Sequence, residues 1–318
     1  MINQIERLLA EDTAGDPITG LKWTRKTLRK ISTALGKEGI IVCPTTVGNL
    51  LTEMHYSLKI NYKRIESNPK KVTRESRKKR NCQFEYISEM RSSFQEEGHT
   101  IISIDAKKRE QVGNFKNNGA VWCKKATEVN AYDFKSLAEG VFIPYGIYDI
   151  TKNKGFIVGG TTYNTGEFAV NAICKWINFE LKHRETPLES LLILADGGGS
   201  NSSTNKLWKL CLQEKICDPF EISVTVCHYP PGTSKYNPIE HRLFSEISKN
   251  WAGRPLSSYE TTLKYIRSTK TAKGLTVRAW IDKKQYNKGI KILDDEMEGI
   301  NIINHDVLPE WNYTILPS

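Results

Sequence analysis

The chain has 318 residues, 39% of them hydrophobic and 26% charged, enough to bury a sizeable core and too apolar for a disordered chain. No apolar run approaches the ~20 residues needed to cross a bilayer, and the acidic start MINQIERLLAEDTAGD lacks the basic and apolar segments of a signal peptide. No membrane association and a cytoplasmic location are therefore expected. The seven cysteines are scattered singly with no C-x-x-C pair, which excludes a disulfide framework or zinc knuckle and reads as small buried hydrophobes.

The formal charge of +10 is concentrated in one block. Residues 1–20 carry a net −3, residues 21–80 a net +12, and residues 81–318 a net +1. A polyanion is the natural partner of such a block, because Lys and Arg displace phosphate counterions. A solubilising arm is the plain alternative, and the choice turns on whether the block has structure.

Leu28, Ile31 and Leu35 fall at helical spacing between Thr24 and Gly36, with Arg25, Lys26, Arg29 and Lys30 on the other faces. After a break at Gly36–Gly39, Pro44 opens a second helix whose buried stripe is Val47, Leu50, Leu51 and Met54. Two short amphipathic helices around a tight break suit a helix-turn-helix, in which Thr45, Thr46 and Asn49 would face bases or phosphates. Residues 1–60 are thus read as a helix-turn-helix DNA-binding region. Residues 61–97 are read as a basic linker and connecting helix. Its run PKKVTRESRKKR, with Arg77, Lys78, Lys79 and Arg80, would track a phosphate backbone.

From about residue 98 the pattern alternates between strands and helices. Thr100–Ile104 reads as a buried strand ending at Asp105, with further strands expected at Ala120–Cys123, Val141–Ile150 and Gly155–Gly159. A helix over Glu167–His183 precedes the apolar strand Ser190–Ala195, which ends at Asp196. A helix over Ser203–Ile216, a strand over Glu221–Cys227 and a helix from Pro238 follow. The succession predicts an α/β, ribonuclease H-like mixed sheet flanked by helices over residues 98–255, with a C-terminal helical extension over 256–318.

Two unrelated apolar strands each end on one aspartate, at the place where open α/β sheets collect their functional side chains. Either residue taken alone also fits a helix cap or turn. Glu240 is the third acid, on the first turn of the Pro238 helix, where the helix dipole also favours it. The polar approach loop Tyr229–Asn237, including Lys235 and Asn237, offers donors to a phosphate. Three carboxylates from separate elements suit two hard, oxygen-seeking cations such as Mg2+, which could clamp an in-line displacement at phosphorus.

With these motifs in place, the chain resembles the bacterial insertion-sequence transposases of the Rhodopirellula type, distant relatives of the mariner group. The segments that carry the resemblance are KWTRKTLRKIS, YSLKINYK, QFEYI, ISIDAKKRE with GNFKNNG, IPYGIYDI, LLILADGGGSNS, HYPPGTSKYNPIEHRLFSEISKNWAGRPL and WNYTI. Together they span from about Gly15 to the end. The resemblance implies a DDE triad of Asp105, Asp196 and Glu240, a ribonuclease H-like core, and dependence on two Mg2+ ions, with Mn2+ able to substitute. It also implies metal-dependent cleavage at transposon ends and strand transfer into target DNA. Three positions depart from the family pattern: Ala252, Tyr132 and Asn81. Family members carry further sequence ahead of this start, which would make the chain a shortened copy.

Lys107 and Lys108 could hold phosphates of the scissile strand or form a charged turn, and Asn201 is expected to cap its helix. His228 and His241 are expected to bind phosphate or pack, since metals rather than a base would activate the water. The expected partners are DNA, both terminal repeats and target, and a second copy of the chain, because two ends must be joined. A ribonuclease H-like nuclease without strand transfer, or an inactive DNA-binding remnant, are the alternatives.

Overall fold

The computed structural model describes all residues except 12, 16–21, 25–26, 57–72, 122 and 234–235, with backbone alone at the remaining positions from 10 to 24. Arg25, Lys26, Lys235 and Trp122, singled out from the sequence, lie outside the described residues. The chain divides into two compact units, Met1–Lys70 and Lys71–Ser318.

The first unit holds α1 (Ile2–Glu11), an antiparallel pair of short strands, β1 (Thr13–Gly15) and β2 (Lys22–Thr24), and the helices α2 (Leu28–Lys37) and α3 (Pro44–Glu53). The helix expected from Thr24 starts later, because Thr24 ends a strand and the Thr27 hydroxyl caps α2 by accepting from the Lys30 amide at 3.3 Å. At the head of α3 the Cys43 sulfur takes the same role towards the Thr46 amide, with Pro44 at the first helical position. Ile5, Leu9, Ile31, Leu35 and Val47 form the unit's own core. Arg29, Lys30, Thr45, Thr46 and Asn49 lie on α2 and α3 with side chains at least partly open to solvent.

The second unit begins with α4 (Arg74–Glu96), capped by Thr73, so the basic run Arg77–Arg80 sits on a helix and not in a linker. Gln83, Ile87 and Phe94 make its buried stripe. Then follow β3 (Thr100–Ala106), β4 (Glu110–Val112), β5 (Gly140–Asp149), β6 (Lys154–Gly160), α5 (Gly166–Leu181), β7 (Ser190–Ala195), α6 (Lys206–Leu212), the single turn α7 (Asp218–Phe220) and β8 (Ser223–His228). The Pro238 helix passes through a π-turn, Glu240–Phe244, into α8 (Ser245–Asn250). The chain ends with α9 (Tyr259–Arg267), β9 (Thr276–Asp282), α10 (Asp294–Glu298), β10 (Ile302–Asn304) and β11 (Asn312–Ile315).

These strands form one mixed sheet in the order β10-β11-β8-β7-β3-β5-β6-β9, with β4 pairing β5. Its centre, β6-β5-β3-β7-β8, is a three-strand antiparallel meander extended by two parallel strands beside its first member, the ribonuclease H-like arrangement. Strand β3 alternates faces. Ile102 and Ile104 pack under α5 and α6 with Trp176 and Trp208, while Ile101, Ser103 and Asp105 face the side of α4 and the Pro238 helix.

Two expectations need correction. Residues 120–123 form no strand among the described positions: Val121 is 40% exposed, and the edges of β5 are already taken by β3, β4 and β6. Residues 256–318 are not a helical extension, since they supply β9 at one edge of the sheet and β11 and β10 at the other. The cysteine reading holds for Cys211, Cys217 and Cys227, which are buried, but Cys43, Cys82 and Cys123 are exposed.

Candidate active site

The register that pairs Ile104 with Ala195 brings Asp105 and Asp196 side by side where the parallel strands β3 and β7 end. Asp105 is 7% exposed, and one of its oxygens accepts from the Ala106 amide at 2.7 Å. Burial raises its pKa well above the carboxylate range, and the charges of Asp196 and Glu240 add to the shift. The Glu240 side chain lies close enough to push it up further. Burial also raises the pKa of Asp196, with the Glu240 charge adding to it and the donors Asn201 and the Gly198 amide opposing it. Among the described residues none of these acids makes an ion pair with Lys or Arg.

Glu240 is brought to the sheet by close packing and a buried polar clasp. A Cβ on Gly146 would stand 2.6 Å from Phe244, and one on Gly155 would stand 2.3 Å from Leu243. The bare backbone of β5 and β6 therefore lets the Pro238 helix lie directly on the sheet. Ser103, two residues before Asp105 on the same face, donates its hydroxyl hydrogen to the Asn237 side-chain oxygen and accepts from the Ile239 amide at 3.1 Å. The Asn237 side-chain amide donates to the Ile104 carbonyl at 3.2 Å. Both Ser103 and Asn237 are fully buried, so the clasp competes with no solvent. Glu240 opens a π-turn, a local widening of the helix that is frequent at functional sites.

Asp196 is held from two sides. The Asn201 side-chain amide donates to its carboxylate at 3.2 Å. Asn201 therefore orients an acid and caps no helix; Asn205 caps α6, accepting from the Trp208 amide. Behind it, the fully buried His228 ring faces the Asp196 carbonyl through Nδ1 at 3.1 Å. Burial lowers the His228 pKa to about 4, so it packs as a neutral ring. Gln83 of α4 donates to the His228 carbonyl at 2.9 Å and exchanges two hydrogen bonds of 2.7 Å with Asn312 of β11. The glycine run after Asp196 is needed at Gly199, whose φ of +68° is left-handed, and at Gly197, where a Cβ would meet the Tyr229 carbonyl at 3.2 Å.

Among the described residues no three His, Cys, Asp or Glu side chains are converged tightly enough to enclose an ion as they stand. The donor set nonetheless fits hard divalent cations: three carboxylates, facing one another, without a described protein cation to neutralise them. The buried Tyr145 hydroxyl lies close enough for Asp105 and Asp196 to raise its pKa beyond what burial does, and it has no hydrogen-bond partner among the described residues.

Other expected contacts are dispersed. Lys107 pairs with Glu110 at 2.9 Å and lies over the Trp251 ring, and Lys79 pairs with Glu310 and lies over Trp311. Neither is a free cation. Lys108 and His241 are exposed, as are Arg77 and Lys78, whereas Arg80 is half-buried. Ala252, one of the departures, packs against Gly119, where a Cβ would come within 2.7 Å of it. Sequence reasoning missed Ser103, Gln83 and Asn312. Ser103 carried a signal, a hydroxyl inside an apolar strand.

A family profile described as the Rhodopirellula transposase DDE domain matches residues 4–317. No curated protein matches. Among solved structures, the chain is similar to the Mos1 strand transfer complex at 17% identity and a TM-score of 0.44, over 84% of this chain and 69% of that one. It is also similar to the Mos1 mariner paired end complex with Mn at 18% identity and a TM-score of 0.42, over 84% and 70%. With a profile match running over nearly its whole length, the chain belongs to the Rhodopirellula-type family of DDE transposases.

Proposed function

We propose that this transposase cuts DNA at transposon ends and transfers the freed strand into target DNA, using Asp105, Asp196 and Glu240 as metal ligands. The observation that carries the reading is the convergence of these acids, unpaired with any described cation, at the carboxyl ends of adjacent parallel strands. Two divalent cations bound there, Mg2+ or Mn2+, would activate the attacking oxygen and stabilise the leaving one in an in-line displacement.

The chain's own residues supply the frame for that chemistry. Asp105 and Asp196 hold fixed positions because they terminate a rigid sheet, and Asn201 sets the carboxylate plane of Asp196. The Ser103–Asn237 clasp fixes the turn from which Glu240 projects. Binding a cation would lower the carboxylate repulsion that burial amplifies, which gives these acids an intrinsic demand for positive charge.

Within Met1–Lys70, α3 carries Thr45, Thr46 and Asn49 at solvent-accessible positions, with Arg29 and Lys30 on α2, which supports a role in reading the terminal repeats. Arg77 and Lys78 on α4 would add phosphate contacts. Action on two ends calls for at least a dimer on DNA. No helix among the described residues is long and apolar enough to cross a membrane. The test is to incubate the protein with Mg2+, a labelled end duplex and a supercoiled plasmid. Label joined to the plasmid is the expected product; cleaved ends without joining would reduce the activity to that of a nuclease.

A further inference from the structure

A second basic surface lies away from the acids. A cavity of about 580 Å³ opens along the edge strand β9, lined by Arg267, Lys270 and Arg278 with Phe179 and Trp280 as its floor. A smaller recess beside it adds Lys154, on the next strand. Among the described residues, the one carboxylate lining this region, Glu180, is already paired with Lys152 at 2.5 Å. In a stretch whose net charge is only +1 over residues 81–318, such a grouping of unopposed cations is a local excess.

The two arginines are held in place. The Arg267 guanidinium donates twice to the Ala279 carbonyl, at 3.0 and 2.7 Å, and Arg278 lies 5.4 Å from the centre of the Phe179 ring. The aromatic floor is occupied by its own contacts, Trp280 stacking on Phe156 and meeting Phe179 edge-on. Phe179 is further taken up by His183, stacked at 4.4 Å, and by Arg278, which leaves less ring surface for splayed bases than a single-stranded site uses. Two fixed arginines and two exposed lysines along an apolar floor match a duplex phosphate backbone.

Asp149 pairs with both Ile102 and Lys154, and Lys154 pairs with Thr276, so the cavity begins three residues short of Asp105 and three strands away. At ~3.3 Å per residue and ~4.8 Å per strand, it lies roughly 20 Å from the acids. A phosphate there is not the reacting one.

Resting on the transposase reading, we propose that the β9 edge groove is a second DNA-binding site, which holds the backbone of a duplex segment distinct from the phosphodiester at the acids. The edge could alternatively pair with β9 of a second copy, but that would set Lys270 and Arg278 against their own like charges.

Lysine footprinting tests this directly on the full chain. The protein is acetylated with and without a saturating 30-bp duplex, saturation being established by fluorescence anisotropy, and modification at Lys154 and Lys270 is read by mass spectrometry. Several-fold protection of both is expected, with Lys125, exposed and not among the groove's lining residues, as the reference. In Lys154→Glu/Lys270→Glu/Arg278→Glu protein, the salt dependence of duplex binding is expected to fall by roughly 0.9 in log–log slope for each phosphate that is no longer neutralised. Duplex binding with unprotected Lys154 and Lys270 and an unchanged slope would overturn the proposal while leaving the transposase reading intact. Protection that appears without DNA at high protein concentration would assign the edge to self-association and equally overturn it. Absence of any DNA binding would sink both.

Discussion

Replacing Ser103 with alanine probes the link between the sheet and Glu240. The Ser103 hydroxyl serves the Asn237 side-chain oxygen and the Ile239 amide, all three residues being fully buried. Its removal leaves one buried acceptor and one buried donor unmatched, each costing about 1–3 kcal/mol. Allowing for some relaxation, Ser103→Ala should cost roughly 2–4 kcal/mol. For a domain of this size that lowers the melting temperature by roughly 5–15 °C. The assay is thermal unfolding by circular dichroism, followed by metal-dependent cleavage measured well below the variant's melting point. Cleavage should fall even where the protein is fully folded, because the turn carrying Glu240 loses its anchor. A variant that melts within about 1 °C of the wild type would refute the clasp as a determinant of the site.

Asn201→Ala should weaken Mn2+ binding roughly 10–100-fold with little loss of stability, since the amide orients the Asp196 carboxylate; a calorimetric titration reads it. Gly155→Ala forces a Cβ to within 2.3 Å of Leu243 and should destabilise the protein by about 1–3 kcal/mol in urea unfolding. His228 supplies a pH dependence. Its folded pKa, about 4, lies below the ordinary value of 6.5, so the unfolded chain binds the proton more readily. Its neutral packing is therefore fully stabilising above about pH 6.5, and roughly 3 kcal/mol is lost as the pH falls towards 4. Unfolding free energies at pH 7 and pH 4.5 should show that loss in the wild type and a smaller one in His228→Asn.

The apolar runs into Asp105 and Asp196 were legible because a fully buried central strand admits few polar residues, and where each run stops is where the chain leaves the core. Residues 120–123 misled for the same reason: Ala-Val-Trp-Cys is apolar, yet both sides of β5 are already taken by β3, β4 and β6. The strand β9 carried a period-two signal, Val277 and Ala279 buried between exposed Thr276 and Arg278, but its parallel pairing with β6 is a long-range choice that no local pattern states. A connecting helix was expected here, but the first turns of α4 were hidden by their charge. Its cap, Thr73, and its stripe of Gln83, Ile87 and Phe94 lie on either side of the basic run that reads as a linker. The polar network of Gln83, His228 and Asn312 joins residues 229 positions apart, and only the fold brings them together.

The most direct test of the central claim is strand cleavage of a labelled transposon-end duplex in Mg2+, comparing the wild type with Asp196→Ala. The account predicts cutting by the wild type that stops when the metal is chelated, and none by a variant that still binds the duplex. Equal cutting by both proteins would contradict the assignment of the chemistry to these three acids.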